Sequence, residues 1–219
     1  MNTINEICDM HLLIVAATEM EIADFLATKP NADVLITGVG APHCIYGLTK
    51  KLGSKAYNCV IQAGIAGSFG EVPLGETVLV IRDCFADLGI FENNSLKSLF
   101  GAGFLNADTF PYKAGWLENE SQVLSATSLE CCTAITVNTV SENLIMEKQY
   151  KEIYQPHIET MEGAAFHYVC LMENLPFIQL RAISNIVGIR DKSQWKIKES
   201  VASLNKELIK IVNQLTTTK

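Results

Sequence analysis

Six apolar runs of strand length recur along this chain, each ending in small or polar residues: HLLIVAAT, ADVLITGVG, YNCVIQAGIAGSFG, GETVLVIRDCF, CCTAITVNTVS and PFIQLRAIS. A strand with one wet face alternates apolar and polar residues. A strand apolar at successive positions is buried on both faces, which happens mainly in parallel sheets covered by helices. The intervening segments supply those helices. EMEIADFLATK places Ile22, Phe25 and Leu26 on one face, and APHCIYGLTKKLG runs to a closing Gly53. ENLIMEKQYKEIY and EGAAFHYVCLMENL have helical patterns too. Over residues 197–215, Ile197, Val201, Leu204, Leu208, Ile211 and Leu215 recur at spacings of three and four, an amphipathic closing helix. Strands alternating with helices predict an α/β fold with a largely parallel sheet.

In such sheets ligands bind beyond the C-terminal ends of the strands. Candidate functional groups therefore lie at residues 18–21, 38–40, 64–67, 139–142, 161–162 and 184–185. The segment 86–116 breaks the alternation and is rich in Gly, Asn and aromatic residues. It predicts a long excursion with short helical pieces, of the kind that often carries function.

Composition narrows the classes. The 219 residues are 48% apolar and 19% charged, with no Pro/Ser/Gly-rich linker, so residues 1–219 are expected to form a single domain. The net charge of −7 and scattered lysines argue against a nucleic-acid polymer as partner. A small anionic ligand needs only one or two placed cations and remains possible. Seven cysteines without C-x-x-C spacing suggest reduced thiols and a cytoplasmic address, and four histidines show no ligand spacing, so no metal is expected. The N-terminal apolar run is too short for a membrane span and is preceded by acids, which does not suit a signal peptide.

Taken singly, the exit residues have ordinary explanations. Glu21 and Glu162 suit helix N-termini, where a carboxylate complements the dipole. Ser184 and Asn185 suit a turn after a strand. TGVG and AGIAGSFG, the latter with Gly64 and Ile65, could be plain turns or could cradle a ligand with backbone N–H groups. Neither is a dinucleotide fingerprint or a Walker loop.

Taken in order, VAATEMEI, GVGAPHCIYGL, QAGIAGSFGEVPLGETVLV, TMEGAA and PFIQLRAISN resemble the purine nucleoside phosphorylase and nucleosidase superfamily over nearly the whole chain. FADLGIFE, SLFGAGF, FPYKAGWL, ITVNTVS and RAISNIVGIRDKSQW narrow the resemblance to a hydrolytic branch. Its nucleoside carries a 6-oxopurine and a carboxylated aromatic ketone. The resemblance implies a single-domain three-layer α/β/α fold with a central mixed, largely parallel sheet. It implies a cytoplasmic N-glycoside hydrolase with a small-molecule nucleoside substrate, no cofactor, no membrane or nucleic-acid partner, and homo-oligomeric assembly.

For individual residues, the resemblance implies Glu21 as the base on the attacking water. Glu162 would bond the ribose hydroxyls, with Met161 packing below the sugar and Ser184, Gly64 and Ile65 nearby. Adenine-specific relatives carry Asp where this chain has Asn185. An amide can accept from N7–H and donate to O6, which favours hypoxanthine as leaving group, although the flipped amide would present the opposite pattern. Arg190, or alternatively Lys113, would meet the substrate carboxylate. The purine-stacking residue falls within 137–142, and Phe91, Phe104 and Trp116 are further stacking candidates. None of the three arginines, Arg82, Arg181 and Arg190, is close in sequence to Glu21 or Gly38, which speaks against a phosphate nucleophile. The rival expectations are an adenine-releasing nucleosidase, a phosphorylase, and a non-catalytic nucleoside-binding or storage protein.

Overall fold

The structure is a computed structural model that describes residues 10–140 and 142–217. The chain start and Ser141, both included in the expectations above, lie outside the described residues. In chain order the elements are β1 (Leu12–Ala16), α1 (Ala23–Ala27), β2 (Asp33–Ile36), α2 (Ala41–Leu52), β3 (Cys59–Ser68), β4 (Thr77–Asp83), β5 (Gly89–Glu92) and β6 (Ser95–Ser98). There follow β7 (Leu117–Glu118), β8 (Cys131–Thr136), α3 (Leu144–Tyr154), β9 (Ile158–Thr160), α4 (Gly163–Met172), β10 (Phe177–Ile186) and α5 (Ile197–Thr217).

The sheet is mixed. β1 pairs in parallel with β2 and β3, and β3 runs parallel to β10 along nearly its full length. β4 is antiparallel to β10 and parallel to β8, and β9 is parallel to β8 but antiparallel to the end of β3. The circuit β3–β10–β4–β8–β9 therefore closes on itself, and β1 and β2 extend from it as an open wing.

The doubly apolar strands do what their pattern requires. On one face Leu12, Ile14, Ile61 and Leu180 pack against Phe25 and against Leu204, Leu208 and Ile211 of α5. On the other, Leu13, Val15 and Val60 meet Leu48 of α2 and Phe166 and Val169 of α4. Burying each of these large side chains is worth about 1.5–3 kcal/mol, so α5 is held by its apolar stripe.

The excursion at 86–116 departs from the expected helical pieces. Among its described residues it forms the β5–β6 hairpin followed by turns. Asn93 and Asn94 both take positive φ, 51° and 57°. That is the requirement of a two-residue type I′ turn, and it favours a hairpin over a helix.

Candidate active site

The C-terminal ends of β1, β3, β9 and β10 converge on one open cleft of about 810 Å³, its mouth included. Glu21, Ile65, Met161, Glu162, Ser184, Asn185 and Arg190 all line it.

Glu21 belongs to a single 3-10 turn, Glu19–Ile22, that follows β1. Thr18 caps the turn, giving both its N–H and its hydroxyl to Glu21 Oε2 at 3.0 Å. Ile65 N–H reaches Glu21 Oε1 at 3.1 Å. Ile65 thus serves the carboxylate through its backbone N–H. Asn205 of α5 braces the turn from behind. Its Nδ2 donates to Glu21 O at 2.9 Å, and its Oδ1 accepts from Phe25 N at 2.8 Å. Thr18 and Ile65 therefore fix the carboxylate and Asn205 its backbone, and Glu21 is only 6% exposed.

Glu162 is the N-cap of α4. Its Oε1 accepts from Gly40 N–H at 2.7 Å, and its Oε2 lies 3.8 Å from Arg181 Nη1. Gly40 holds φ at 98°, the left-handed region that a side chain disfavours, and this backbone aims the amide. Burial pushes the Glu162 carboxyl up, while the Arg181 guanidinium and the Gly40 amide pull it back.

Two expectations are corrected here. Arg181, distant in sequence, is adjacent in space to both carboxylates. A Cβ built on Gly64 would collide with Arg181 Nη1 and stand 3.0 Å from Glu21 Oε1. Gly64 itself does not line the cleft. Its missing side chain leaves the room into which Arg181 and Glu21 both reach. Arg181 is 1% exposed and its Nη2 donates to Gln62 Oε1 at 2.7 Å.

Asn185 has a set amide orientation. Ser184 Oγ donates to Asn185 Oδ1 at 2.8 Å, and Asn185 Nδ2 donates to Ile186 O at 3.2 Å. A flipped amide would set its carbonyl oxygen against the Ile186 carbonyl oxygen, two acceptors face to face. Each end of the amide keeps one further hydrogen-bonding position for a ligand.

The stacking candidates of the excursion are elsewhere. Trp116 packs edge-on against Tyr154 at 6.0 Å and under Arg82 at 4.6 Å; Phe104 is exposed, and Phe91 lines a neighbouring cavity. From 137–142 only Val140 reaches the cleft among the described residues. The aromatic residue that does line it is Trp195, whose ring lies 5.4 Å from the Arg190 guanidinium. The sequence gives no periodic signal for Trp195, since it follows a short loop turn. Asp191 caps Ser193 and Gln194 and forms no ion pair with Arg190 among the described contacts. Lys113 pairs with Glu120 at 2.6 Å and does not line the cleft. No group of three or more potential metal ligands occurs among the described residues, and no described helix is long and apolar enough to cross a membrane.

The mixed sheet with two carboxylates in a cleft at its strand ends is a nucleoside phosphorylase/nucleosidase-like fold, as comparison with known proteins shows. The family model of the phosphorylase superfamily matches residues 34–217, and the chain belongs to that superfamily. It is similar to futalosine hydrolase of Thermus thermophilus, 29% identical over 210 residues covering 88% of this chain and 91% of that protein. Futalosine hydrolase of Streptomyces coelicolor is 28% identical over 194 residues, covering 85% and 81% respectively. Among solved structures, the fold matches a 5′-methylthioadenosine/S-adenosylhomocysteine nucleosidase of Colwellia psychrerythraea with a TM-score of 0.79 at 15% identity, covering 96% of this chain and 98% of the other. It also matches a futalosine hydrolase mutant of Helicobacter pylori with a TM-score of 0.74 at 18% identity, covering 94% and 99%.

Proposed function

We propose that the protein hydrolyses the N-glycosidic bond of futalosine, releasing hypoxanthine and dehypoxanthine futalosine, a step of the futalosine route to menaquinone. The observation that carries this reading is the Asn185 amide, whose oxygen and nitrogen are oriented by Ser184 and Ile186 to meet N7–H and O6 of a 6-oxopurine. Sequence similarity to futalosine hydrolases over most of the chain supports it.

In this reading Glu21, clamped by Thr18 and Ile65, orients a water and takes its proton as the water oxygen bonds to C1′. The C1′–N9 bond breaks with its electron pair going to the purine. Glu162 bonds ribose hydroxyls and stabilises the positive charge that develops on the sugar, as carboxylates do in other glycoside cleavages. Asn185 holds the departing base at N7 and O6. An amide is not an acid, so the proton the purine needs comes from solvent. Arg190, splayed over Trp195 at the cleft wall, meets the carboxylate of the substrate tail. The molecule acts in the cytoplasm as a homo-oligomer.

The test is product analysis. Purified protein is incubated with futalosine, inosine, methylthioadenosine and adenosylhomocysteine, with and without phosphate. Hypoxanthine from futalosine, independent of phosphate, is the expected result. Adenine release in preference would sink the Asn185 argument, and no release from any substrate would favour a binding or storage role.

A further inference from the structure

Asn185 reaches the cleft through a break in the regularity of its strand. β10 follows β3 residue for residue up to the pair Ile183 and Ala66, and the next pair is Asn185 with Gly67. Two residues of β10 thus stand against one step of β3, a β-bulge with Ser184 as the extra residue. Side-chain alternation gives the consequence. A shift of one residue moves every later side chain to the opposite face of the sheet. Without the bulge Asn185 would share the face of Arg181 and Ile183, and Ile183 packs into the apolar cluster of Val78, Val80 and Ala134. With it, Asn185 shares the face of Gly67, where a Cβ added to the glycine would stand 3.2 Å from Asn185 Nδ2. The extra residue therefore decides where the amide points.

A bulge takes backbone groups out of the ladder, and here α5 meets them. Ser184 O accepts from Lys196 N–H at 2.8 Å. Ile183 O accepts from Ser200 Oγ at 2.6 Å, beside Gly75 N–H at 2.8 Å. Ser200 lies in the first turn of α5 and is wholly buried, and a hydroxyl buried there is costly unless bonded. A helix serine commonly donates to the carbonyl four residues back, and Ser200 Oγ does lie 2.7 Å from Lys196 O. That carbonyl already receives Ser200 N–H at 3.0 Å. The single hydroxyl proton is shared between the two carbonyls, a three-centre bond. Its arm to Ile183 does nothing for the helix. It ties α5 to the residue just before the bulge.

We propose that Ser200 is a positioning residue for base recognition: with the Lys196 N–H, its hydroxyl pins the bulge at Ser184 and so holds the Asn185 amide toward the base. Ser200 does not line the cleft and touches no ligand. Without its bond the bulge can straighten or migrate along β10, and the amide loses its aim. This rests on the role given to Asn185 under the proposed function.

The experiment measures calorimetric Kd values for the free bases hypoxanthine and 7-deazahypoxanthine, which differ only at position 7, so it does not depend on turnover. Wild type, Asn185→Ala, Ser200→Ala and Ser200→Thr are compared. Wild type is expected to favour hypoxanthine about tenfold, because the deaza base leaves an oriented partner unmatched. Asn185→Ala should bring that ratio to within about twofold of unity, and Ser200→Ala should bring it below about threefold. Ser200→Thr keeps the hydroxyl and should stay within about twofold of the wild-type ratio. A wild-type ratio in Ser200→Ala overturns the proposal. So does a ratio lost equally in Ser200→Thr, since packing and not the hydroxyl would then be responsible. If Ser200→Ala does not fold, Lys196→Pro deletes the N–H that Ser184 O accepts, at the exposed start of α5. Trp195 before it already has ψ 135°, as proline requires of the preceding residue. A wild-type ratio in that variant overturns the proposal equally. A preference lost in Asn185→Ala but kept in the Ser200 variant removes this proposal alone. A preference that survives Asn185→Ala, or none in wild type, removes the base placement and the proposal with it.

Discussion

Asp83 at the end of β4 is wholly buried, and burial pushes its carboxyl from 3.8 up to about 7. Its partners show why a proton is tolerated there. Thr136 Oγ1 donates to Oδ1 at 3.0 Å, Cys84 N–H donates to the same oxygen at 2.8 Å, and Gln179 Nε2 approaches Oδ2 at 3.3 Å. Meanwhile Gln179 Oε1 and His167 Nε2 are buried without a hydrogen-bond partner. A proton on Asp83 Oδ2 resolves both. With the Gln179 amide turned by 180°, Oδ2–H donates to Gln179 Oε1, and Nε2–H donates to His167 Nε2, whose Nδ1 already meets Leu117 O at 2.9 Å. Burial lowers His167 to about 4, so it is neutral and able to accept.

The sign of the linkage follows. Asp83 has its folded pKa raised, so its contribution to stability is fully present below 3.8 and is lost as pH rises towards about 7. Each pH unit in that window is linked to about 1.4 kcal/mol. Asp83→Asn replaces the protonated carboxyl by a neutral isostere that does not titrate. Between pH 5 and pH 7 the stability of the variant relative to wild type should therefore rise by ~2 kcal/mol. Urea unfolding at pH 5, 6, 7 and 8 measures this. Curves for the two proteins that run parallel within ~0.5 kcal/mol would refute the reasoning, because Asp83 would then be ionised throughout. The consequence reaches the cleft: Thr136 also accepts from Ala164 N–H at 2.7 Å and Thr160 Oγ1 accepts from Gly163 N–H at 3.2 Å, so the same network seats the first turn of α4 and with it Glu162.

Other outcomes are expected from the cleft. Glu21→Gln should lower kcat by ~10²–10⁴ with little change in ligand affinity, measured by hypoxanthine release and calorimetry; wild-type kcat in the variant would exclude Glu21 as the base. Arg190→Ala should reduce the preference for futalosine over inosine at least ~10-fold, about 1.4 kcal/mol, read from the ratio of kcat/KM values; an unchanged ratio would place the tail elsewhere. Gly64→Ala should displace the Arg181 guanidinium, the atom its Cβ would strike, and lose activity along with at least ~1–3 kcal/mol of stability; a fully active, fully stable variant would contradict the packing described.

The fold was legible because its main signal is local. Doubly apolar strands such as LLIVA and the stripe of α5 declare their own burial. Closure of the sheet was not legible, since it depends on β3 meeting β10 along one edge and both β1 and β9 along the other, pairings set by register between distant segments. The hairpin at 89–98 was missed although Asn93 and Asn94 carry the turn chemistry, because the surrounding Gly and aromatic residues obscure any alternation. In the site, motif residues at strand exits were readable one by one, but Arg181 and Asn205 were not read as its supports. A signal existed for both. Arg181 and Gln179 interrupt an otherwise apolar strand, and Asn205 adjoins the apolar stripe of α5, and polar groups in such places require partners. Trp195 had no such marker, because what places it is a loop path.

The position of Arg181 also reshapes the argument about the nucleophile. Distance in sequence from Glu21 does not exclude a phosphate-binding arginine, because Arg181 is beside Glu21 in space. What weighs against phosphate is how that arginine is committed. Its Nη2 is held by Gln62, its Nη1 faces Glu162, and the space beside Gly64 that it fills borders Glu21 as well. One cation therefore offsets two carboxylates, and the sugar end of the cleft remains net negative. A phosphate dianion entering there would face Glu21, whose oxygens already accept from Thr18 and Ile65 and cannot donate to it while ionised. A water meets no such repulsion and gains a clamped acceptor for its proton. The same arginine that would have suggested a phosphorylase is thus engaged with Glu162 and Gln62, while Thr18 and Ile65 hold Glu21.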